Sequence, residues 1–285
     1  MKLTNFTDML DHAQKHHYGL GAFCCCNAET ALAAIEAGSK LRSPVLFIAS
    51  HEETPILTPK RLVEVVKCVA EGCGVPVGLH VDHAPTVEFV RECMDAGFPS
   101  VMYDGSSLPF EENIKNTRMV VEEAHSRGIG VEGEIGAIGR CDKSTVEGGK
   151  TTLTDVDEAV EFVQRTGVDA LAVSIGNSHG MYTSLPHLDF ALLQEIRNRV
   201  NVHLVLHGGS GTPPDQLNEA VRIGITKINV ASEIGKAYIN AIVDFHNARS
   251  GNFWWTHGVL EAKLAARAVV ERWMIQLGSA GKADV

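Results

Sequence analysis

The sequence predicts an α/β fold, a single (β/α)8 TIM barrel with a C-terminal helical extension, and three observations indicate it. Eight short apolar runs alternate along the chain with longer amphipathic stretches. Each run and the stretch after it occupy about 30 residues, and eight such units exceed the roughly six strands of an open doubly wound sheet. The length of 285 residues also suits a barrel, which commonly uses about 250 residues as one domain.

The predicted strands and helices alternate in a regular order. The strands are predicted at residues 21–26, 45–49, 77–81, 100–103, 130–134, 170–174, 202–206 and 226–230. The helices that follow them are predicted at residues 29–37, 59–70, 86–95, 110–126, 155–166, 189–199, 214–223 and 233–248. Gly97, Gly167 and Gly224 each stand just before a strand, where a glycine commonly ends the preceding helix, and they fix the phase of the repeat.

Two segments depart from this repeat. Residues 139–152 are rich in Gly, Thr and charge and predict a long loop, which in a barrel is usually either a lid over the active site or a disordered segment. The tail after Ser250 carries an aromatic cluster and then a predicted final helix at residues 260–276. Because no Pro/Ser-rich linker or low-complexity tract interrupts the chain, we expect residues 1–285 to form one domain.

Composition excludes several classes of protein. With 25 Lys and Arg against 35 Asp and Glu, the net charge of −10 argues against a nucleic-acid-binding protein. The longest apolar stretches are far shorter than the roughly 18 to 20 residues that cross a bilayer, and the N-terminus lacks the apolar core of a signal peptide. Seven cysteines, three of them consecutive at 24–26, favour reduced thiols over disulfides. We therefore expect a cytoplasmic protein with no membrane or nucleic-acid partner.

Polar residues recur at the predicted carboxyl ends of the strands, where barrel active sites form. In strand order they are Asp82 and His83, Asp104, Glu132 and Glu134, His179, His207, and Asn229 and Ser232. Three histidines from three strand ends suit Zn²⁺, whose catalytic sites take three protein ligands and leave a fourth position for substrate. We therefore predict His83, His179 and His207 as zinc ligands. The other ten histidines are assigned to helices or exposed loops.

Three carboxylates near these histidines have more than one interpretation. Asp104 and Glu134 are predicted either to form a second carboxylate metal position or to orient the imidazoles, since metal-bound histidines commonly donate their other N–H to a carboxylate. Asp82 directly precedes a predicted ligand, which makes it a candidate acid/base beside the bound substrate. Its alternative role is to cap the helix that follows.

Glycine and hydroxyl residues at the last two strand ends indicate phosphate binding. The segments HGGSGTP, from His207, and NVAS, from Asn229, place small residues where barrel enzymes frequently hold phosphate on backbone N–H groups and a helix N-terminus. A phosphorylated substrate is the prediction.

Five motifs in order over nearly the whole chain, HVDHA, VEGEIG, SIGNSHGMY, LHGGSGTP and KINVASE, resemble the class II, zinc-dependent ketose-bisphosphate aldolases of the fructose- and tagatose-bisphosphate type. The resemblance implies reversible cleavage of a ketose 1-phosphate or 1,6-bisphosphate into dihydroxyacetone phosphate and an aldehyde, through a zinc-stabilised enediolate. It also implies a homodimer or homotetramer and a monovalent cation, Na⁺ or K⁺, near the phosphate.

The same resemblance assigns roles to single residues. It implies zinc ligands at His83, His179 and His207, an alternative metal position at Asp104 and Glu134, and the acid/base at Asp82. It implies substrate and phosphate contacts from Ser50, Gly180, Gly208, Gly209, Ser210, Asn229, Val230, Ala231 and Ser232.

The chain departs from the family pattern in three places. Asp142 stands where the family has a loop Glu that moves the C3 proton, so the shuttle is open between Asp142 and Glu147. Cys24 replaces an asparagine that commonly touches substrate, and residues 253–258 read FWWTHG where relatives that bind a second phosphate often have Asp-Pro-Arg. We therefore expect the aldehyde not to be simply glyceraldehyde 3-phosphate but to have a longer, uncharged or acidic distal end.

Three other functions compete with this one. A Schiff-base aldolase would use Lys227 as its nucleophile. A zinc-dependent barrel hydrolase would normally carry a His-x-His pair on the first strand, and residues 21–27 have none. A non-catalytic sugar-phosphate-binding relative would not need three intact ligands and an acid/base.

Overall fold

A computed structural model describes residues 2–139, 151–180, 182, 185–249 and 253–285. Eight parallel strands close into a barrel in the order of the sequence. The strands are β1 Leu20–Cys24, β2 Val45–Ala49, β3 Val77–Val81, β4 Ser100–Tyr103, β5 Gly130–Ile135, β6 Ala170–Val173, β7 His203–Leu206 and β8 Ile225–Val230. The helices are α1 Phe6–Lys15, α2 Ala28–Leu41, α3 Pro59–Val69, α4 Val87–Ala96, α5 Phe110–Ser126, α6 Val156–Thr166, α7 Phe190–Arg199, α8 Pro214–Ile223, α9 Ser232–Ala248 and α10 Trp255–Gln276. The predicted barrel and C-terminal helix are confirmed.

The boundaries of the elements follow from local chemistry. Gly97, Gly167 and Gly224 end α4, α6 and α8 with positive φ angles, which confirms the predicted phase of the repeat. The first strand ends two residues before its predicted limit because Asn27 begins α2 with a reciprocal hydrogen-bond pair to Thr30. The final helix begins at Trp255, five residues before its predicted start.

Helix α1 was not among the predicted elements. Its apolar side chains Phe6, Met9, Leu10 and Ala13 are buried at helical spacing, and the Asn5 side chain accepts a hydrogen bond from the Thr7 N–H at its start. These side chains pack against the apolar residues that point into the barrel from β1, β2, β6 and β7. The helix therefore closes the amino-terminal end of the barrel.

Alternation along the strands sorts side chains between the barrel interior and the outer helices. The lower interior is apolar and is filled by Leu20, Ala22, Leu46, Ile48, Ala170, Ala172 and Val205. On β5, Glu132 and Glu134 stand two residues apart and are both buried. The same period places their side chains on the interior face, one above the other, toward the carboxyl ends of the strands.

The C-terminal extension, α10, packs against α9 and α2. Its buried Trp273 donates a hydrogen bond from Nε1 to Glu233 Oε2 at 3.0 Å, and Arg272 forms an ion pair with the same carboxylate. Glu233 Oε1 in turn accepts the Gly211 N–H at 2.8 Å. The extension thus supports the loops that follow β7 and β8.

Three further expectations concern membrane spans, the cysteines and the predicted irregular loop. Among the described residues, no helix is long and apolar enough to cross a membrane. The six described cysteines are all free thiols. Residues 140–150, which make up most of the predicted irregular loop, lie outside the described part of the chain.

Candidate active site

A cavity of about 500 Å³ opens at the carboxyl ends of the barrel strands. Its volume is typical of small-molecule sites. All eight strands or the segments after them supply lining residues, among them Cys24, Ser50, Asp82, His83, Asp104, Glu134, His179, Gly180, Gly208, Ser210, Asn229, Ala231 and Ser232. The structure therefore brings most of the residues predicted from the sequence to one cavity.

Three histidine rings meet at this cavity: His83 and His179 line it, and His207 is fully buried beside them. One ring nitrogen from each of His83, His179 and His207 lies within 4.8 Å of the others. The ring centroid of His83 is 4.8 Å from that of His179 and 4.5 Å from that of His207. Such nitrogens are close enough to bind a single ion, and three protein nitrogens leave a position open for substrate.

Hydrogen bonds orient two of these rings. Asp104 Oδ2 lies 2.7 Å from His83 Nδ1, and Glu132 Oε1 lies 2.8 Å from His207 Nε2. Asp104 is itself fixed by the Ser106 N–H and hydroxyl, which donate to its Oδ1 at 3.0 and 2.7 Å. These bonds leave His83 Nε2 and His207 Nδ1 for the centre of the cluster.

The residues fit a divalent cation. His83 Nε2, His207 Nδ1 and Glu134 Oε2 are buried and form no hydrogen bond of normal geometry within the described part of the chain, although Glu134 Oε2 lies 3.0 Å from His207 Nδ1. Buried polar atoms normally have a hydrogen-bond partner, and those that lack one are often the ligands of an ion. His83 also has a φ of 46°, a left-handed conformation that is uncommon outside glycine and often found at functional sites.

The electrostatics of the cluster favour a positive charge at its centre. Burial opposes protonation of His83, but Asp82, Asp104 and Glu134 outweigh burial and raise its pKa to about 10. Burial and the neighbouring His83 hold the pKa of His207 well below its ordinary value. Burial, reinforced by the Asp104 carboxylate, raises the pKa of Glu134 well above its ordinary value.

Asp104 and Glu134 keep both of the roles considered for them. With His83 they form a second group whose ligand atoms lie within 4.8 Å of one another. Glu134 Oε2 is 3.0 Å from His207 Nδ1 and 3.9 Å from His83 Nδ1. The Asp104 bond to His83 Nδ1 also has the geometry of an orienting carboxylate.

Asp82 faces the cavity rather than capping a helix. Helix α4 is capped by Thr86, whose side chain accepts the Phe89 N–H. Asp82 Oδ1 instead accepts a hydrogen bond from Asn229 Nδ2 at 2.8 Å and lies 4.0 Å from His83 Nε2. Burial disfavours its charged form, but the neighbouring imidazoles, His83 first, outweigh burial and lower the pKa of Asp82. A carboxylate is thus held beside the histidine cluster.

The loops after β7 and β8 also line the cavity. Gly208 has a φ of +65°, and a Cβ there would collide with the Ser178 carbonyl oxygen, so the turn requires glycine. Helix α9 begins at Ser232, and its cap residue Ala231 has no side chain that could accept a first-turn N–H. Gly209 and Val230 do not line the cavity, and Val230 is buried in the core.

A buried charge pair lies below the histidines, and sequence analysis missed it. Lys227 Nζ is 3.0 Å from Glu132 Oε2, and His80 Nε2 is 3.5 Å from the same oxygen. The His80, Glu132 and Lys227 side chains are fully buried. The sequence offered one indication that these side chains point into the barrel. Side chains two residues apart on a strand share a face, so Glu132 lies on the face of Glu134, and Lys227 on the face of Asn229.

Two expectations therefore need correction. Lys227 does not line the cavity and is bound to Glu132, so the structure does not support it as a Schiff-base nucleophile. The assignment of all other histidines to helices or exposed loops was wrong for His80 and His203, which lie on strands and are buried.

The two candidates for the proton shuttle lie outside the described part of the chain. Asp142 and Glu147 both lie within 140–150, outside the described residues. The part of the rim above β1 and β2 is described, and it contains a second carboxylate that sequence analysis did not select, Glu53.

The family model, the curated relative and the solved structure that match this chain are all described as aldolases. A model of the family described as fructose-bisphosphate aldolase class-II matches residues 4–282. A fructose-bisphosphate aldolase of Geobacillus stearothermophilus is 37% identical over an alignment of 287 positions, gaps included, that covers 99% of this chain and 99% of that one. The crystal structure of the YdjI aldolase from Escherichia coli K12 aligns with a TM-score of 0.88 and 32% identity over 99% of this chain and 100% of that one.

A fungal structure is equally similar. The crystal structure of a candidate fructose-1,6-bisphosphate aldolase from Coccidioides immitis aligns with a TM-score of 0.90 and 30% identity, covering 100% of this chain and 99% of that one. The likeness therefore extends over nearly the entire sequence.

Proposed function

Because the chain belongs to the class-II fructose-bisphosphate aldolase family and is thus a metal-dependent aldolase, a lyase, we propose that it reversibly cleaves a ketose 1-phosphate, or a ketose 1,6-bisphosphate, into dihydroxyacetone phosphate and an aldehyde. One observation carries the proposal: three imidazoles have ring nitrogens within 4.8 Å of one another, and two of them, His83 and His179, line a cavity together with Asp82 and the glycine-rich loops after β7 and β8.

Zinc is the proposed metal, and His83, His179 and His207 are the proposed ligands. Bound there, Zn²⁺ would act as a Lewis acid that stabilises the negative charge developing on the substrate's C2 oxygen. Asp104 would orient the His83 ring, and Glu132 would orient the His207 ring. Glu134, 3.0 Å from His207 Nδ1, is close enough to be a further carboxylate ligand. The set of three imidazoles is typical of Zn²⁺, whereas Mg²⁺ prefers oxygen ligands.

Asp82 is the proposed acid/base. In cleavage its carboxylate takes the proton of the C4 hydroxyl, that oxygen forms the carbonyl of the aldehyde, and the C3–C4 electron pair stays on C3. Asn229 donates to Asp82 Oδ1 and so fixes the carboxylate toward the histidine cluster. Protonation of C3 requires a second group, for which we propose Asp142, with Glu147 as the alternative.

The phosphate of the substrate is proposed to lie on the loops after β7 and β8. Gly180, Gly208, Ser210, Ala231 and Ser232 line the cavity there. Small residues allow the phosphate to reach backbone N–H groups, and the positive end of the α9 dipole favours an anion. Gly209 and Val230, which do not line the cavity, would contribute through their backbone only. Ser50 lines the cavity after β2, on the rim between β8 and β3. A Na⁺ or K⁺ ion would accompany the phosphate.

Assembly and organisation complete the proposal. We expect a homodimer or homotetramer because Trp254, Trp255, Ile239 and Val243 form exposed apolar surface on α9 and at the start of α10. We also expect residues 1–285 to form one domain, which the family match over 4–282 supports. A cytoplasmic location, without membrane or nucleic-acid partners, remains the expectation from composition.

The test combines metal removal with a panel of aldehydes. We expect condensation of dihydroxyacetone phosphate with at least one aldehyde, loss of this activity after EDTA treatment, and its recovery with Zn²⁺. Asp82→Asn should lower kcat by about 100-fold or more while the protein still binds Zn²⁺ stoichiometrically. Asp95→Asn, at an exposed position on α4, is the matched control.

Two results would overturn the proposal. One is turnover that persists in EDTA together with covalent labelling by borohydride and substrate, which would indicate a Schiff base. The other is the absence of carbon–carbon bond formation with every aldehyde tested at full zinc occupancy.

A further inference from the structure

The rim of the cavity above β1 and β2 has a defined hydrogen-bond arrangement. The Ser50 N–H and hydroxyl both donate to Glu53 Oε2 at 2.7 Å. Glu53 Oε1 lies 3.7 Å from the Cys24 thiol, which donates to it. All three residues line the cavity. Glu53 is therefore a positioned carboxylate at the wall of the site, and none of the roles assigned above uses it.

Within the described part of the chain, no Lys or Arg side chain lines the cavity near this rim. Among the described lining residues there are five carboxylates and no Lys or Arg; the carboxylates are Glu52, Glu53, Asp82, Asp104 and Glu134. Cys24 adds no charge, because burial and the neighbouring Glu53 raise its pKa well above its ordinary value. On the β1 and β2 side, Glu52 and Glu53 therefore supply the charged groups, and Cys24 and Ser50 supply uncharged hydrogen-bonding groups.

This rim lies where the distal end of a ketose phosphate would extend. The histidine cluster follows β3, β6 and β7, and the glycine-rich loops follow β7 and β8. In the closed barrel, β1 and β2 occupy the arc between β8 and β3. A substrate whose C1 phosphate is on the β7 and β8 loops and whose C4 hydroxyl is at Asp82, which follows β3, would have this arc beside it, so that its distal end can turn toward Ser50 and Glu53.

We propose that Glu53 determines specificity for the aldehyde half of the substrate, selecting a neutral polyhydroxylated aldehyde and rejecting a phosphorylated one. This inference rests on the proposed aldolase function. A carboxylate accepts hydrogen bonds from substrate hydroxyls, and its remaining lone pairs at Oε1 are available for them. The same charge repels a phosphate dianion at close range, where the cavity screens charges less than bulk water does.

The experiment compares two aldehydes that differ by one phosphate. For the zinc-loaded enzyme, we measure kcat/KM for condensation of dihydroxyacetone phosphate with glyceraldehyde and with glyceraldehyde 3-phosphate, using both enantiomers. The wild type should prefer the neutral aldehyde. Glu53→Gln should lower the neutral-to-phosphorylated ratio by about 10-fold and Glu53→Lys by about 100-fold, mainly through gains with the phosphorylated substrate.

Two further measurements isolate the role of charge. Glu88→Gln removes an exposed carboxylate on α4 that does not line the cavity, and its ratio should equal that of the wild type. Raising the salt concentration from about 10 mM to about 1 M shortens the screening length from about 30 Å to about 3 Å. The wild-type ratio should therefore fall with salt, a readout that does not depend on any variant folding correctly.

The possible outcomes separate this inference from the aldolase proposal. A wild type that prefers glyceraldehyde 3-phosphate, or a ratio unaffected by both Glu53→Gln and salt, refutes the role of Glu53 and leaves the aldolase function standing. No condensation with any aldehyde refutes both.

Discussion

Two carboxylates hold the ring nitrogens of the proposed zinc ligands in place. Asp104 is bonded to His83 Nδ1 and Glu132 to His207 Nε2, at 2.7 and 2.8 Å. Such partners fix the tautomer and direction of an imidazole and increase its basicity toward a metal. Because Asp104 is already engaged with His83 and Ser106, the geometry favours its orienting role over that of a direct ligand.

Glu132→Gln is predicted to weaken zinc binding. An amide at this position binds the His207 ring less strongly, and loss of such a partner typically lowers metal affinity by about 10- to 100-fold. Competition with a chromophoric chelator measures the dissociation constant of the apoprotein. Glu111→Gln, at an exposed position on α5, provides the control. An unchanged dissociation constant would show that His207 is oriented without Glu132.

A double variant separates metal affinity from stability in the same experiment. Glu132→Gln leaves Lys227 as a buried charge without its counterion, which typically costs about 3 to 5 kcal/mol of unfolding free energy. Adding Lys227→Met removes that charge and should restore much of the stability. The weak zinc binding should remain.

Sequence analysis selected the histidines and missed their support for a physical reason. His83, His179 and His207 stand at the ends of strands, and the fold alone brings such residues together. Glu132 and Lys227 lie within β5 and β8, and their pairing across the interior depends on how the barrel closes. Glu53 follows β2 in a segment of turns with no periodic pattern, so its contact with Ser50 was not predictable.

At the level of elements, α1 is the helix most closely tied to the interior of the barrel. Phe6 stacks on His80 with ring centroids 4.7 Å apart and an interplanar angle of 14°. His80 also bonds Ser100 Oγ through Nδ1 at 3.0 Å. The helix therefore covers polar groups at the base of the barrel as well as apolar ones.

Phe6→Ala is predicted to lower the free energy of unfolding by about 3 to 5 kcal/mol, because it opens a cavity under the barrel. Urea denaturation monitored by circular dichroism measures this change. Gln14→Ala, on the exposed face of the same helix, should change stability by less than about 0.5 kcal/mol. Equal effects of the two substitutions would mean that α1 does not seal the barrel.

The strands and helices inside the β-then-α repeat could be predicted from the sequence, and the helix outside it was missed. Three strands, Val45–Ala49, Val77–Val81 and Ser100–Tyr103, have the boundaries expected from sequence. Strands buried on both faces are short apolar runs, and the polar turns on either side limit them sharply. Helix α1 precedes the first strand and lies outside the β-then-α repeat, so the repeat gave no reason to expect it, although its apolar spacing was visible.

For the whole molecule, buried histidines make stability dependent on pH. Burial, partly opposed by Asp11, lowers the pKa of His203 below its ordinary value of 6.5. As the pH falls, the unfolded chain binds the proton first, so this contribution is complete above about pH 6.5 and is lost below it. His80 has a pKa shifted in the same direction by burial and by Lys227.

We therefore expect His203 to lower the urea midpoint between about pH 8 and about pH 5.5, while His83, whose pKa is raised to about 10, contributes in the opposite direction. The His203→Gln variant should show a shallower decline than the wild type, because its side chain does not titrate in this range. A decline of the same slope in both proteins would assign the pH dependence to other groups.

The global topology was predictable because eight repeated units restrict the number of possible architectures. Assembly was not predictable to the same degree, since an exposed apolar surface such as that around Trp254 and Trp255 does not define its partner. The same holds for the aldehyde, whose selection depends on contacts between separate loops.

The stacking of Phe6 on His80 has a practical consequence for anyone preparing this protein. His80 touches Glu132, and Glu132 holds His207, so the first turn of α1 is joined to the proposed zinc ligands through an unbroken series of contacts. A change at the position of Phe6, such as one caused by an affinity tag fused ahead of it, can therefore affect the orientation of the His207 ring. Zinc content should be compared between tagged and cleaved preparations before kinetic constants from either are interpreted.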